Sequence, residues 1–537
     1  MNRFQPFTLS LLFCFSLSLL NAQQTDWKDK IDPTVWLDAE AGAMVDILIL
    51  MEAQADVSKA NSFKIKEDRG YYVFNQLTHT ANQSQAELKA LLDLQAVNYR
   101  SFYIVNSIYT KADKNLIEII AKRKDVAQIQ NNPSARLDLP AQPTNEASLR
   151  GEIEWGIDMI NADSVWEMGY TGQGVVVGGG DTGYDWEHEA LRSKYRGWDG
   201  NTADHNYNWH DAIHEISLLH EDSIVAPTNN PCGLDSNIPC DDHNHGTHTM
   251  GTMVGSTDDN LIGVAPNAKW IACRNMERGY GSPVTYIEYL QWMLAPTDLN
   301  SQNPDPSKAP HVINNSWSCP EMEGCNEDNW RTMETVVNNL KASGIVVVVS
   351  AGNSGKDGCG TVSTPAAMFE NSFTVGATTP ADTIAKFSSR GPVTVDDSGR
   401  AKPNVSAPGV AVRSATRNNN YAAWNGTSMA GPHVAGVVAL MISANPKLAG
   451  QVEAIETILE ETAVRKTTDQ ICGGLEGSNI PNHTYGYGRI DAFAAVAKAL
   501  SLNVVEANKE GLEIVTSPNP FINNLRLELK NRKGEAR

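Results

Sequence analysis

The sequence predicts an α/β protein: a large domain on a mainly parallel sheet with helices on both faces, preceded by a small α+β module. Three observations carry that prediction. Between about residues 151 and 500, short β-branched runs recur ("GVVVGGG", "KWIACRNM", "HVINNSW", "GIVVVVSAGN", "SFTVGAT") that are apolar throughout rather than alternating. Strands buried on both faces have that pattern. Helical stretches such as "NWRTMETVVNNLKAS" lie between several of them, as parallel strands joined by helical crossovers require. Before residue 151 the character changes. A compact charged region at 44–140 runs into "NNPSARLDLPAQPTNEAS", a linker by its Pro, Asn and Ser content.

The elements follow in chain order. Arg3 precedes an apolar run from Leu9 to Leu20 and then Asn21-Ala22-Gln23-Gln24. A charged start, an apolar stretch of about a dozen residues and a small residue at its end make a secretory signal over 1–22, cut after Ala22. Spanning a bilayer takes roughly 20 apolar residues, more than this run or any later one offers, so the chain reads as exported, secreted or at the cell surface. Residues 23–145 hold the small module and its linker. There "MVDILILM" and "YRSFYIVNSIYT" read as strands and "TANQSQAELKALLDLQ" and "KADKNLIEIIAKRK" as helices by apolar spacing, with "VAQIQ" a further short strand. The large domain occupies 146–503. Residues 504–537 carry alternating strand character around a Pro-Asn-Pro turn, too little to be stable alone.

Charge and cysteines narrow the function. A net charge of −20 argues against nucleic acid, whose phosphates attract a basic face. Of eight cysteines, Cys14 lies in the signal and Cys273 in an apolar run, where a free core thiol is expected. The other six allow 15 pairings. Nearness along the chain favours Cys232 with Cys240 and Cys319 with Cys325, leaving Cys359 for Cys472. No C-x-x-C occurs, which speaks against a zinc ribbon.

The stretch "VVVGGGDTG" at 175–183 admits two chemistries. Its glycines could cradle a dinucleotide phosphate, or the strand could deliver one carboxylate, Asp181. A dinucleotide fold needs a second strand ending in an acid about 20 residues on; Asp199 is there, but "YRGWDGNTADHNYNWH" is no apolar strand. Three further patches favour the carboxylate: "DDHNHGTHTMGT" (241–252), "VVVVSAGNSG" (346–355) and "NGTSMAGPHVAGVVALMISANP" (425–446). Acyl transfer needs a nucleophile, a base, and a group that holds the base in one tautomer. It also needs donors for the developing oxyanion. Ser428 at a helix N-terminus, His245, Asp181 and the Asn353 amide supply these in turn.

Together with their flanks these patches resemble the subtilisin-like serine proteases, over roughly 151–500. "DTG" matches at Asp181, "HGTH" at His245, "AGN" at Asn353 and "GTSMAGPH" at Ser428, in the order Asp, His, Ser known for subtilisin. "FSSRGP" (387–392) and "KPNVSAPG" (402–409) are further landmarks, and "WIACRNM" with the cysteines near 319–359 looks closest to the bacillopeptidase F-like branch. The resemblance implies a subtilisin-like three-layer domain and a secreted serine endopeptidase acting on proteins or peptides through an acyl-enzyme, with no required cofactor. It implies S1 walls at Ser316, Trp317, Ser318, Ala351 and Gly352, with Ser363 near the floor. No carboxylate stands at these positions, so a neutral or apolar P1 side chain is expected. The Thr364–Pro365 bond aligns with a cis peptide of the family. The 44–140 module resembles the family's propeptide, an intramolecular inhibitor, implying a zymogen that cuts itself between Leu139 and Gly151. "SPNPFINNLRLEL" resembles the start of a type IX secretion sorting domain. Two departures stand out: Gly178-Gly179-Gly180 replace bulky residues before Asp181, and the insert between Asp181 and His245 is long.

Competing readings draw on the same residues. His243, His245 and His248 spell H-x-H-x-x-H beside Asp241 and Asp242, a zinc hydrolase pattern, but Thr247 stands where an acid is wanted before the last histidine. An inactive binding module would have lost a reactive side chain, and all four are present. Asp199, Asp204, Asp211, Asp222, Asp235, Asp241 and Asp242 offer oxygen ligands for structural calcium, yet form no recognisable loop and equally describe a solvated acidic surface. A monomer is expected.

Overall fold

The computed structural model describes residues 26–141, 153–217, 219 and 230–509 (backbone alone beyond 502), together with the strands Leu512–Ser517 and Arg526–Asn531. The signal at 1–22, the linker residues 142–152, Asp222 and the Pro-Asn-Pro turn lie outside them.

Seven parallel strands form the central sheet, in the order Val405–Pro408, Phe373–Thr378, Val346–Ser350, Val312–Asn315, Val176–Asp181, Lys269–Arg274 and Trp209–Asp211. The run of four valines shows why such strands read as continuously apolar. Val346 and Val348 face a core shared with Val434, Ala435 and Val438 of helix Thr427–Ala444. Val347 and Val349 face the opposite core, with Leu290 of helix Pro283–Leu294 and Leu340 of helix Glu327–Ala342. Alternate side chains therefore serve two buried faces, giving three layers. Thr427–Ala444 is the one helix among the described residues long and apolar enough to cross a membrane, and it is buried inside this core.

Chain order reverses across Val176–Asp181, with later strands added on both sides of it. Open α/β sheets bind ligands beyond the carboxyl ends of the strands at such a switch point, and Asp181 is the last residue of that strand. The three glycines before it make room rather than flexibility. A Cβ at Gly179 would overlap the Tyr184 hydroxyl, and one at Gly180 the Tyr289 ring.

The N-terminal module is a four-stranded antiparallel sheet in the order Tyr99–Phe102, Ser107–Ala112, Val45–Met51, Val126–Asn131. Ile47, Ile49 and Met51 pack on the module's own Leu88, Leu92 and Ile117, while Leu48 joins Val73 and Leu77 against the helices of the large domain. "YRSFYIVNSIYT", expected as one strand, is a hairpin turning at 103–106. The expected helix at 80–95 is likewise two, Lys66–Ser84 and Ala86–Leu94. One residue explains both differences. Buried Gln85 stands at the helix break, donates to the Phe102 carbonyl (2.9 Å) and the Asn106 side chain (2.7 Å), and accepts from Ser101 (2.6 Å). The cis peptide near residue 365 is Pro365–Ala366, not the expected Thr364–Pro365. Disulfides join Cys232–Cys240, Cys319–Cys325 and Cys359–Cys472, and Cys273 is free and buried.

Candidate active site

Asp181 and His245 meet at the carboxyl end of the sheet. His245 opens helix His245–Val254 behind Asn244, and its Nδ1 lies 2.7 and 2.8 Å from the two carboxylate oxygens of Asp181. A bidentate acid on Nδ1 places the ring proton there and leaves Nε2 to accept. That Nε2 has no hydrogen-bond partner among the described residues. Asp181 also accepts from the Thr182 N–H at 2.7 Å. The helix start is clamped by Asp241, which the sequence offered as a metal ligand or as part of a solvated acidic surface. It accepts from Thr182, from the His243 and Asn244 N–H groups, and from both the N–H and the hydroxyl of Thr247.

Ser428 is the second residue of helix Thr427–Ala444, after Gly426, whose φ of 152° sets the turn. First-turn N–H groups have no partner within a helix, so the Ser428 N–H stands at the positive end of the dipole. This helix packs against the one that begins with His245. Asn353 follows strand Val346–Ser350, and its Oδ1 accepts from both the N–H and the hydroxyl of Thr427 at 3.0 Å. With Oδ1 occupied, Nδ2 is the end that faces outward, and it donates to the Asp138 carbonyl at 3.0 Å. Thr427 is thus a positioning residue that no spacing rule identifies, because its role depends on a contact across 74 residues.

Ser428 and Asn353 line a cleft of about 570 Å³ with Ser316, Trp317, Ser318, Gly352 and Ser363. Ala351, the remaining expected wall residue, is buried and not among the cleft lining. The cleft also receives Arg136, Leu137, Asp138 and Leu139 from the segment after the N-terminal module. Arg136 and Ala135 pair antiparallel with Tyr280 and Gly281, and Leu137 N–H donates to the Gly279 carbonyl at 2.8 Å.

The zinc pattern is not assembled. His248 Nε2 lies 3.1 Å from the carbonyls of Val412 and Ala422, and its ring stacks on Trp424 at 4.9 Å. Burial pushes its pKa down to about 3, so it stays neutral and donates to those carbonyls. Burial and the neighbouring His245 also lower His243. The described aspartates of the acidic insert have partners within the fold: Asp211 and Asp242 pair with buried Arg274 (2.7 and 3.1 Å) and Asp235 with His214, while Asp199 and Asp204 cap backbone turns. Among the described residues no group of three or more His, Cys, Asp or Glu could hold a metal ion.

Residues 172–488 match the model of the subtilase family. The chain is 36% identical over 470 residues to bacillopeptidase F of Bacillus subtilis, an alignment covering 83% of this chain and 30% of that protein. It is 28% identical over 458 residues to the thermophilic serine proteinase of Bacillus sp. AK1 (83% of this chain, 92% of the relative). To subtilisin E of Bacillus subtilis it is 27% identical over 402 residues (74% and 87%).

Proposed function

This chain belongs to the subtilase family, and from that premise we propose that it is an exported serine endopeptidase, made as a precursor that processes itself. The reading rests on one observation above all: His245 is held by Asp181 through Nδ1 while Nε2 has no hydrogen-bond partner among the described residues, and its helix packs on the one that carries Ser428, which lines a cleft with Asn353. In the proposed reaction His245 Nε2 takes the Ser428 proton as the hydroxyl oxygen attacks the scissile carbonyl. Asp181 stabilises the imidazolium. The oxyanion is bound by Asn353 Nδ2 and the Ser428 N–H. His245 then protonates the leaving amine, and water releases the acyl-enzyme. Side chains and water suffice for this chemistry, and no cofactor enters it.

The N-terminal module, within residues 23–145, is proposed as the inhibitor of the site whose cleft its trailing segment enters. Ser316, Trp317, Ser318, Gly352 and Ser363 form the proposed S1 surroundings. Three disulfides support export into an oxidising compartment, in keeping with the signal expected at 1–22. The strands Leu512–Ser517 and Arg526–Asn531 pair antiparallel, and the sorting role of the 504–537 tail stays a proposal.

The test is labelling with a fluorophosphonate followed by mass spectrometry. The adduct is expected on Ser428, and Ser428→Ala is expected to abolish both labelling and hydrolysis of denatured protein. Wild-type turnover in that variant would end the proposal. Asn353→Ala should fold and label slowly, with turnover lowered roughly 10²–10³-fold, a magnitude borrowed from subtilisin itself.

A further inference from the structure

We infer that the bond this precursor presents to its own site is Asp138–Leu139, and that the enzyme accepts aspartate on the acyl side of the cut. The inference rests on the endopeptidase reading above and goes on to name one bond and one side-chain class.

Register is the first argument. The chain enters the cleft as an added strand, with Ala135 opposite Gly281, Arg136 opposite Tyr280, and Leu137 N–H on the Gly279 carbonyl. Main-chain bonds of this kind fix which residue reaches which position, independent of side chains. Glu323 adds a further anchor by accepting from the Arg136 N–H at 3.0 Å. Three successive residues are therefore pinned, and the carbonyl that follows them has one place to go.

That carbonyl belongs to Asp138. Asn353 Nδ2 donates to it at 3.0 Å, from an amide whose other end is held by Thr427. A donor arranged for a developing oxyanion marks the carbon to be attacked. Beyond the bond the segment continues across the site, where Asn425 Nδ2 donates to the Ala141 carbonyl at 2.8 Å. Asp138–Leu139 is thus held on both sides, one bond before the window from Leu139 to Gly151 expected from the sequence.

Asp138 is itself exposed, so the cut asks only that the cleft admit an aspartate where a neutral or apolar side chain is expected from the sequence. Hydroxyl-bearing Ser316, Ser354, Ser363 and Thr364 line the cleft, and hydroxyls can donate to a carboxylate. Besides Asp138 itself the acid in the lining is Glu323; it accepts from the Arg136 N–H, and burial and the Asp138 charge raise its pKa, an opposition that Arg136 partly offsets. In the step proposed, the Ser428 oxygen bonds to the Asp138 carbonyl carbon as its proton passes to His245. The carbon–nitrogen bond to Leu139 then breaks, and its nitrogen takes that proton. Water hydrolyses the ester, leaving one chain that ends in the Asp138 carboxylate and another that begins with the Leu139 amine.

The full-length chain is expressed beside its Ser428→Ala variant, and both fragments are defined by intact mass and terminal sequencing when cleavage first appears. One fragment is expected to end at Asp138 and the other to begin at Leu139, with Ser428→Ala remaining whole. Asp138→Lys should slow that cut at least tenfold. As a measurement independent of that variant's folding, processed enzyme should split a peptide of residues 134–142 between Asp138 and Leu139. A first cut at another bond, or an untouched peptide, overturns the inference; if Ser428 still labels and denatured protein is still hydrolysed, the endopeptidase reading survives it. Loss of labelling and of hydrolysis together overturns both.

Discussion

His433 shows how a buried side chain of the family-like "GTSMAGPH" motif shapes stability without touching substrate. It lies one helical turn past Met429, with Nδ1 2.9 Å from that carbonyl, and the ring is fully buried. Burial lowers its pKa to about 4, below the roughly 6.5 of an unfolded histidine. The unfolded chain therefore binds a proton between those values that the native chain refuses. Stability falls as pH drops from 6.5 towards 4 and levels off below. The distance between those two values corresponds to roughly 3 kcal/mol. Replacing His433 by Asn, whose Nδ2 can keep the bond to Met429, should cost stability at neutral pH but flatten this slope by about that amount. Urea unfolding in the Ser428→Ala background, free of autolysis, measures it, and an unchanged slope would refute the assignment. Much of the candidate site was legible at this scale because the acyl transfer proposed for it demands particular residue types, and Asp181, His245, Asn353 and Ser428 sit in short motifs that become distinctive as a set. Thr427 and Asp241 were not. Threonines and aspartates are common, and their part here is to orient Asn353 and the His245 turn through contacts visible only in three dimensions.

Among the elements, strand Val176–Asp181 carries the sharpest packing constraint. Tyr184 and Tyr289 are buried on either face of its glycines, so the strand offers backbone where its neighbours offer side chains. Overfilling a packed core costs typically about 1–3 kcal/mol. Gly179→Ala should lose stability in that range through the Tyr184 hydroxyl. Adding Tyr184→Phe should recover a good part of it, since removing the hydroxyl oxygen removes the nearest clash. Thermal melts of the two single variants and the double variant form a cycle, and strict additivity would count against the packing account. The same strand shows where local sequence reading is ambiguous. Three glycines in a row point to a phosphate loop when read locally, and only the later motifs showed that they precede a carboxylate. Long apolar strands were legible because each serves two cores. The edge strand Trp209–Asp211 was not, having three residues with a histidine in the middle, too few for any period to register. The hairpin at 99–112 escaped notice because its turn is set by Gln85, a distant polar side chain, rather than by Gly or Pro.

For the whole molecule the question is what would hold the N-terminal module on the large domain after the proposed cut. Its exposed pairs are weak candidates: Lys111 and Glu215, 2.7 Å apart, are each about half exposed, and such pairs contribute about 0–1 kcal/mol. Buried donors are stronger. Arg69 is 3% exposed and reaches the Ala342 and Gly450 carbonyls at 2.6 and 2.7 Å, while Lys66 reaches the Ala309 carbonyl at 3.0 Å. Hydrogen bonds from charged donors contribute about 1.5–3 kcal/mol each, and a carbonyl acceptor carries no charge for salt to screen. Retention of the module should therefore depend on Arg69 far more than on ionic strength. If the module inhibits, wild-type enzyme should show a lag between processing and activity while the module dissociates or is digested. Arg69→Ala should shorten that lag at least tenfold. Raising salt from about 0.05 to about 0.5 M, which shrinks the screening length from over 10 Å to a few ångströms, should shorten it much less. Following fragment appearance by gel and activity by peptide hydrolysis in one time course separates processing from release. A lag that collapses with salt but not with Arg69→Ala would move the hold from these buried carbonyl contacts to the surface charges.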